Sequence, residues 1–525
     1  MAEWWRTAVV YQVYPRSLQD TDGNGVGDLD GVTERLPYLA DTLGVDAVWL
    51  SPFYPSPMAD FGYDVADHCG VDPLFGDLAA FDRMMERAHG LDLRVIVDLV
   101  PNHTSDQHPW FVASRSSRED PKRDWYVWRD GRDGGPPNNW LSVFGGPAWT
   151  LDEATGQWYL HSFLREQPDL NWRHPDVREA MHDVFRFWLD RGVDGFRIDV
   201  AHFVMKDPDL RDNPVRTTAA PALHKPMSEY DTLDHVYDKN HPDVHEVYRE
   251  IRAILDSYEP PRFSVGELHL YDYDEWAEFY GNGDEMHMPF NFGLLPAGWD
   301  AALVRHAVEE TERVVPDGGW PNYVLGNHDE TRIATRLGAA QSRAAAVLLL
   351  TLRGIPTLYY GDEIGMPEAD IPAERQQDPW GRRVPGLGRD GCRTPMQWDA
   401  SPGAGFSTVE PWLPLTPDHA ARNVAVQVED PASHLSLYRR MLAVRRSSEA
   451  LRRGSYRSLP APEGVFAYER REGGEVVRVA IAFTEQGGTV KIGPGEVMVS
   501  TDPDRSGPVS GAVDLGPHEA VVVAV

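Results

Sequence analysis

The sequence has little cysteine, few basic residues relative to acidic ones, and no long apolar run. Only two of its 525 residues are cysteines, Cys69 and Cys392, which lie far apart and outside any metal-ligand spacing. We therefore expect no disulfide framework, which fits a reducing compartment. No segment is apolar over the roughly 20 residues of a membrane-spanning helix, and the stretch MAEWWRTAVVYQVYPRS lacks the features of a signal peptide. These absences predict a cytoplasmic protein without a membrane anchor.

Basic residues are outnumbered by acidic ones. The chain has 82 Asp and Glu against 50 Lys and Arg, a formal net charge of -32 at pH 7. Such a field repels phosphate backbones, so a nucleic-acid partner is not expected. A solubilising acidic surface accounts for the excess and is compatible with any neutral ligand. With 42% hydrophobic residues, the chain is long enough to bury a large core.

Eight short apolar runs recur along the chain, separated by segments long enough for a helix. The runs are AVVYQV (8–13), DAVWL (46–50), LRVIVDLV (93–100), GFRIDV (195–200), RFSVGEL (262–268), MPFNFGL (288–294), NYVLGN (322–327) and TLYYGDEI (357–364). One intervening segment, residues 177–193, has apolar residues at helical spacing and ends near a glycine. Strands and helices in this alternation and number predict an α/β fold, a (β/α)₈ TIM barrel.

Two segments depart from a plain barrel. Residues 105–172 are rich in Trp, Pro, Gly and charge and are too many for a loop, which predicts an inserted B domain after the third strand. From residue 452 onward, apolar and polar residues alternate between turns, which predicts a C-terminal antiparallel β-domain. The predicted domains are a catalytic barrel in two parts (1–104 and 173–451), the B domain (105–172) and the β-domain (452–525).

Three carboxylates fall at the C-terminal ends of predicted barrel strands, where barrel enzymes carry their chemistry. Asp199 ends the fourth strand, Glu267 ends the fifth and Asp329 follows the seventh. A single acid at such a place is usually just solvated, but three that converge with Arg197 are hard to explain structurally. The pattern indicates an active site.

The chemistry that uses such a set is glycoside hydrolysis. Retention of configuration needs two carboxyl groups about 5 Å apart, one as nucleophile and one, kept protonated, as acid and then base. A carboxylate beside an arginine is expected to stay ionised, which favours Asp199 next to Arg197 as nucleophile. A carboxyl group crowded by like charges is pushed toward protonation, which favours Glu267 as proton donor. Asp329 would then stabilise the oxocarbenium-like transition state.

Four motifs, in this order and spacing, resemble those of glycoside hydrolase family 13, the α-amylase family, over essentially the whole chain. They are DLVPNH (98–103), GFRIDVAH (195–202), GEL with Glu267, and LGNHDE (325–330). The resemblance implies the same roles for Asp199, Glu267 and Asp329, and all three positions hold the expected residue. Within the family, the sequence is similar to the oligo-1,6-glucosidase and exo-α-glucosidase branch.

The branch resemblance implies a set of glucose contacts. The motif DFGYDV supplies Asp60 and Tyr63, and CRTPMQWD supplies Arg393. In the branch, the equivalents of Asp60 and Arg393 pair as a wall around the terminal glucose, although the two residues could equally form an ordinary surface salt bridge. The resemblance also places His103 and His328 on the hydroxyl groups of that glucose.

Other positions bear on the leaving group and the linkage. Phe144, Phe163 and Gln167 of the B domain are expected either to contact the aglycone or to form the small core of that domain. Val200, directly after the nucleophile, resembles the residue found in enzymes that cut α-1,6 bonds. A β-branched residue at a strand end is also good packing, so mixed α-1,4 and α-1,6 specificity stays open.

The loop DTDGNGVGD spaces oxygen ligands as a calcium loop does. The candidate ligands are Asp20, Asp22, Asn24, the Val26 carbonyl and Asp28. The loop is not an EF-hand, because Gly31 stands where the bidentate glutamate would be. The resemblance implies a structural Ca²⁺ or Mg²⁺ here, and the alternative is an Asx and glycine turn without an ion. No organic cofactor is expected.

Three functions are compatible with these residues. The first is a retaining exo-α-glucosidase that releases the non-reducing α-glucosyl unit of short oligosaccharides through a covalent glucosyl-enzyme, with transglucosylation. The second is a glucosyltransferase or isomerase of the trehalose synthase or sucrose isomerase type. The third is a catalytically silent carbohydrate-binding scaffold on the same fold, which the intact set of acids disfavours. The expected partner is a small oligosaccharide or glucoside, and the sequence does not decide between a monomer and a homo-oligomer.

Overall fold

An eight-stranded parallel sheet forms the centre of the structure, a computed structural model that describes residues 3–217 and 227–525. Its strands are Val10–Val13, Ala47–Leu50, Arg94–Leu99, Gly195–Ile198, Phe263–Gly266, Met288–Pro289, Asn322–Val324 and Ile355–Tyr359. Neighbours follow chain order, and the eighth strand returns to pair with the first. The barrel is thus nearly closed, with its opening between the sixth and seventh strands. All eight predicted strands, and the barrel itself, are confirmed.

Helices cover the outside of the barrel, which explains why its strands read as apolar runs with both faces buried. The longer ones are Leu29–Pro37, Leu78–His89, Pro175–Asp190, Val244–Asp256, Ala301–Val314, Ala339–Thr351 and His434–Ser447. The shorter ones include Pro15–Leu18, Tyr273–Ala277, Ile333–Leu337, Pro379–Arg383, Val424–Gln427 and Glu449–Arg453. No helix among the described residues has both the length and the apolar character needed to cross a bilayer.

The segment between the third and fourth barrel strands carries a small sheet of its own. Its helix is Pro109–Ser116, and its antiparallel strands are Trp128–Arg129, Trp149–Asp152 and Gln157–Leu160. A buried ion pair fastens this B domain to the barrel: Lys206 Nζ lies 2.6 Å from Asp169 Oδ2 and donates to Asn102 Oδ1 at 2.7 Å. The B domain is thereby held over the C-terminal ends of the strands.

The C-terminal antiparallel β-domain is also confirmed. Its six strands are Ser455–Leu459, Val465–Glu472, Glu475–Ala482, Gly488–Ser500, Gly507–Leu515 and Ala520–Ala524.

Two fully buried arginines bond the segment at the end of helix Ala339–Thr351, Arg445 from helix His434–Ser447 and Arg470 from strand Val465–Glu472 of the C-terminal sheet. Arg445 donates to the carbonyls of Leu350 and Gly354, and Arg470 donates to that of Thr351. Neither arginine forms a salt bridge with a carboxylate of the described chain, and burial lowers the pKa of Arg445 to about 10 and that of Arg470 to about 9. Both guanidinium groups therefore act as caps for carbonyls that the end of helix Ala339–Thr351 leaves without a helical donor.

Candidate active site

A cavity of about 380 Å³ opens at the C-terminal ends of the barrel strands. The three predicted catalytic acids, Asp199, Glu267 and Asp329, all line it. Seven predicted substrate contacts line it as well: Asp60, Tyr63, His103, Phe144, Phe163, Gln167 and Val200. The remaining three lie fully buried behind the cavity wall: Arg197, His328 and Arg393. The structure therefore brings every predicted catalytic and substrate residue to one place.

Arg197 connects the acids at the base of the cavity. Its Nη1 lies 2.7 Å from Asp199 Oδ1 and 2.8 Å from Asp98 Oδ1, and its Nη2 lies 2.7 Å from Glu267 Oε2. Asp98 is the register partner of Arg197 on the neighbouring third strand. An arginine on an apolar strand is thus explained, because it is the counter-charge of three buried carboxylates. Sequence reasoning missed Asp98, although it opens the motif DLVPNH.

The surroundings of these acids shift their pKa values in opposite directions. Burial raises the pKa of Asp199 well above its ordinary value, with Glu267 and Asp98 adding to the rise against the pull of Arg197. Burial acts on Glu267 in the same direction, but the Arg197 guanidinium and the His269 ring outweigh it and hold the pKa of Glu267 below its usual range. Burial also raises the pKa of Asp98 to about 7.

One guanidinium cannot neutralise three buried carboxylates, so the ligand-free cluster holds a proton. The directions of the pKa shifts favour Asp98 and Asp199 over Glu267 as its holder. Arg197 bonds Glu267 as closely as it bonds Asp199, which the sequence spacing could not show. Ionised Asp199 with protonated Glu267 therefore stays a prediction, and it applies to the complex with substrate.

The closed end of the cavity is built on Arg389 and not on Arg393. Arg389 Nη2 lies 2.7 Å from both Asp60 Oδ1 and Asp378 Oδ1, and its Nη1 lies 3.0 Å from Asp329 Oδ1. Arg393 Nη2 is 2.8 Å from Asp329 Oδ1 instead. The predicted pair of Asp60 with Arg393 is therefore wrong.

A short 3₁₀ helix explains the exchange of arginines. It spans Asp390–Arg393, with Arg389 directly before it and Arg393 as its last residue, and places the two arginines at different depths. Arg389 reaches the cavity wall and Arg393 is buried behind it. The motif CRTPMQWD begins too late to include Arg389, although that arginine stands three residues upstream of it in the printed sequence.

An ordered chain of hydrogen bonds supports the glucose side of the cavity. Gln12 Nε2 lies 2.8 Å from His328 Nδ1, and His328 Nε2 lies 2.6 Å from the Tyr63 hydroxyl, which donates to Asp98 Oδ2 at 3.0 Å. Burial lowers the pKa of His328 to about 3, so its ring is neutral. Since the Tyr63 proton is committed to Asp98, His328 carries its own proton on Nε2 and accepts from Gln12 on Nδ1.

Gln167 lies on this glucose side as well. Its Nε2 is 3.3 Å from Asp60 Oδ2 and 3.1 Å from His103 Nε2. Burial lowers the pKa of His103 to about 4, which keeps that ring neutral. Its Oε1 accepts the Leu164 N–H at 3.0 Å, so Gln167 links the B domain to the closed end of the cavity, and its predicted contact with the aglycone stays a prediction.

Aromatic side chains line the opposite, acceptor side. Phe144 packs on Phe163 and on Trp380 with ring centroids 5.7 and 5.2 Å apart, and Phe163 packs on Phe203 at 5.2 Å. These contacts cross from the B domain to two barrel loops. Phe144 and Phe163 therefore hold the domains together and face the cavity at the same time.

Val200 adopts a backbone conformation that is rare for its type. Its φ is +36° and its ψ is +48°, the left-handed region that a β-branched residue seldom enters. The fourth strand ends at Ile198. Val200 is therefore not an extended residue at a strand end, as the interpretation of this valine as a simple packing residue assumed. The turn directs the Val200 N–H to Glu267 Oε2 at 3.0 Å.

The polar insertion after the fourth strand, residues 206–240, lies partly outside the described residues. Its described part brings Met227, Tyr230 and Lys239 to the cavity wall. His269, which follows the fifth strand, completes the acceptor side and lies 3.2 Å from Glu267 Oε1 through its Nε2. Neither a motif nor a periodic pattern pointed to these residues.

The loop 20–28 gathers three of the predicted metal ligands. Oxygens of Asp20, Asp22 and Asp28 all lie within 4.8 Å of one another. Asn24 Oδ1 instead accepts the Val26 N–H at 2.8 Å. Three carboxylates at this separation form an all-oxygen donor set of the kind that suits Ca²⁺ or Mg²⁺. None of these residues lines the cavity.

Residues 12–454 match the family model described as the alpha amylase catalytic domain. The chain belongs to the α-amylase family. A probable alpha-glucosidase of Rhizobium meliloti (strain 1021) is 45% identical over 93% of this chain and 91% of its own length. An oligo-1,6-glucosidase of Parageobacillus thermoglucosidasius is 37% identical over 92% of this chain and 91% of its own length. The predicted family and the α-glucosidase type of glycoside hydrolase are confirmed.

Two crystal structures are similar to this protein over its whole length. The alpha-glucosyl transfer enzyme XgtA superposes with a TM-score of 0.94 at 43% identity, covering 100% of both chains. The trehalulose synthase MutB from Pseudomonas mesoacidophila MX-45 superposes with a TM-score of 0.90 at 35% identity, again covering 100% of both chains. Proteins similar to this chain are therefore named as glucosidases, as a glucosyl transfer enzyme and as a trehalulose synthase.

Proposed function

We propose that this α-amylase-family protein is a retaining, exo-acting α-glucosidase that releases the non-reducing α-glucosyl unit of short oligosaccharides or glucosides with α-1,4 or α-1,6 linkages. One observation carries the proposal: Asp199 and Glu267 bind opposite nitrogens of Arg197 below a cavity that Arg389 closes. Carboxyl groups held this close support the retaining arrangement. A closed end leaves room for a terminal sugar and so supports exo action.

The first half-reaction forms a glucosyl-enzyme. An Asp199 oxygen attacks C1 of the bound glucose while Glu267 gives its proton to the glycosidic oxygen, so the bond from C1 to the leaving group breaks. In the complex, Glu267 must carry a proton and Asp199 none. This arrangement is favoured there, because the glycosidic oxygen accepts from Glu267 and the positive charge that develops at C1 favours ionised Asp199.

The second half-reaction uses water or a sugar hydroxyl. Its oxygen bonds to C1, Glu267 takes its proton, and the bond between C1 and Asp199 breaks with the electron pair returning to the carboxylate. Asp329, oriented by Arg389 and Arg393, supplies negative charge to both transition states. Two inversions at C1 leave the configuration unchanged.

Variants of the two reacting acids test the proposal. D199N and E267Q, measured beside D209N at an exposed position as the control, are expected to fold while losing at least a thousandfold in kcat on maltose and isomaltose. The anomer of the glucose released first, observed by NMR, is expected to be α. Wild-type rates in D199N, or β-glucose as the first product, would refute the assignment.

A glucosyltransferase or isomerase is the second candidate. It is favoured by the names of the two superposed crystal structures and by the aromatic acceptor side, where Phe163, Phe203 and Trp380 exclude water from the approach to C1. Chromatography of products from maltose, isomaltose, trehalose and sucrose separates the candidates. New disaccharides with little free glucose support transfer or isomerisation, and free glucose supports hydrolysis.

The carboxylates of loop 20–28 support a structural Ca²⁺ or Mg²⁺, which would neutralise the repulsion among Asp20, Asp22 and Asp28 and brace the loop that follows the first strand. No step of the reaction involves the ion. The low cysteine content supports a cytoplasmic location.

A further inference from the structure

His269 contacts Glu267 from the acceptor side of the cavity. Its Nε2 lies 3.2 Å from Glu267 Oε1, while Oε2 of the same carboxylate is taken by Arg197 Nη2 at 2.7 Å and the Val200 N–H at 3.0 Å. The His269 ring stacks on Phe292 with centroids 4.7 Å apart and planes 7° apart. This stacking fixes the plane of the imidazole, so its Nε2 stays directed at the carboxylate.

The three partners of Glu267 differ in their freedom to move. Arg197 is fully buried and tied to two further carboxylates, and the donor of Val200 is a backbone amide in a constrained turn. The side chain of His269 is 35% exposed and lines the cavity. His269 is therefore the partner that a leaving group entering the acceptor side can displace.

We propose that His269 is a positioning residue that holds Glu267 as a carboxylate whenever the acceptor side is empty, and so prepares it to act as the base of the second half-reaction. The proposal rests on the proposed function. After the leaving group departs, the Nε2–H of His269 again donates to Glu267 Oε1. The carboxylate then takes the proton of the attacking water as the water oxygen bonds to C1 and the bond from C1 to Asp199 breaks.

The electrostatics around Glu267 agree with this geometry. Burial acts to raise the pKa of Glu267, and Arg197 and His269 together lower it below its usual range. The other titratable or charged groups that face Glu267 and His269 are Asp98, Asp199, His202, Lys239, Tyr271, Asp329 and Glu330. Removing the donor of His269 leaves those groups in place and raises the proton affinity of Glu267.

A pair of substitutions separates the hydrogen bond from the ring packing. H269F keeps a ring against Phe292 and removes the donor, whereas H269Q removes the ring and keeps an N–H donor of similar reach. H306F, at an exposed histidine, is the control. If H269F melts below the assay temperature, H269M replaces it.

Two readings test the proposal. In H269F, the acidic limb of kcat/KM against pH for isomaltose and maltose, which reports the lower pKa of Glu267, is expected to move up by about one pH unit, because a hydrogen bond to a charged group is lost. With an activated aryl α-glucoside, whose departure needs no proton, hydrolysis of the glucosyl-enzyme becomes limiting. At or below the pH of the wild-type acidic limb, we expect kcat to fall about five- to tenfold and a burst of one aryl alcohol per enzyme to appear. H269Q is expected to move both readings back toward the wild type.

An unchanged acidic limb without a burst in H269F would overturn the role of His269, and so would H269Q and H269F impaired alike. These results are distinct from failure of the proposed function, which would appear as wild-type turnover in D199N or E267Q. They also differ from a simple loss of packing, which would lower the rate at every pH without moving the limb.

Discussion

Replacing Arg389 by lysine tests which arginine closes the glucose site. The structure pairs Asp60 with Arg389, whereas the sequence predicts a pair of Asp60 with Arg393. Arg389 bonds Asp60, Asp378 and Asp329 at once through its planar fork. A lysine keeps the charge, but a single ammonium cannot reach carboxylates on different sides of the cavity. Losing one charge-assisted hydrogen bond costs about 1.5–3 kcal/mol. At roughly 1.4 kcal/mol per tenfold change, kcat/KM is expected to fall about 10- to 100-fold.

The assay is initial-rate kinetics on maltose and isomaltose, with glucose as product inhibitor and the melting temperature recorded for each variant. The control is R383K, which replaces the exposed arginine at the end of helix Pro379–Arg383 and is expected to match the wild type. R389M leaves Asp60 and Asp378 buried without a counter-charge, so its free energy of unfolding is expected to fall by about 3–5 kcal/mol. Wild-type kinetics in R389K together with a large loss in R393K would refute the reasoning and restore the pairing of Asp60 with Arg393.

Four further predictions follow from the described contacts. Chelation of the loop 20–28 is expected to lower the melting midpoint, with recovery on adding Ca²⁺, and an unchanged midpoint would argue against a structural ion. R470M removes three hydrogen bonds to backbone carbonyls, two of them buried, and is expected to lower the free energy of urea unfolding by about 2 kcal/mol while leaving kcat unchanged; a loss of kcat at equal stability would contradict a purely structural role. Burial raises the pKa of Asp362 from 3.8 to about 7, so the folded state binds an extra proton and the free energy of unfolding falls as pH rises from about 4 to 7; D362N is expected to show a shallower fall across that window, and parallel curves would exclude Asp362 as the source. V200T is expected to raise the ratio of maltose to isomaltose turnover, and an unchanged ratio would show that Val200 does not set the linkage.

The fold could be predicted from the sequence because its signals are local. Each barrel strand is an apolar run, and the helix Pro175–Asp190 shows a 3.6-residue period that stops before Gly192, whose φ is +95°. The shortest strand, Met288–Pro289, was still found within a longer apolar run. In each of these segments, the secondary structure that the local sequence favours is also the one found in the packed fold.

The site was predictable only where it follows the strands. Asp199, Glu267 and Asp329 were found because a parallel barrel brings all its strand ends to one mouth. Arg389 and His269 were missed because they sit on irregular loops, whose contacts depend on where distant segments meet. The left-handed backbone of Val200 could not be predicted either, since a β-branched residue favours an extended backbone.

The loop 20–28 is completed by residues from the far end of the barrel domain. Asp20 donates its N–H to the Phe406 carbonyl at 2.8 Å and accepts from Ser407 Oγ at 2.5 Å, a residue 387 positions later in the chain. At roughly 5–20 residues per second, a ribosome needs on the order of 20–80 s to make Ser407 after the start of the chain has emerged. For that time the earliest segment is exposed to chaperones and proteases without its native partners. The beginning of the barrel domain is thus among its last parts to mature.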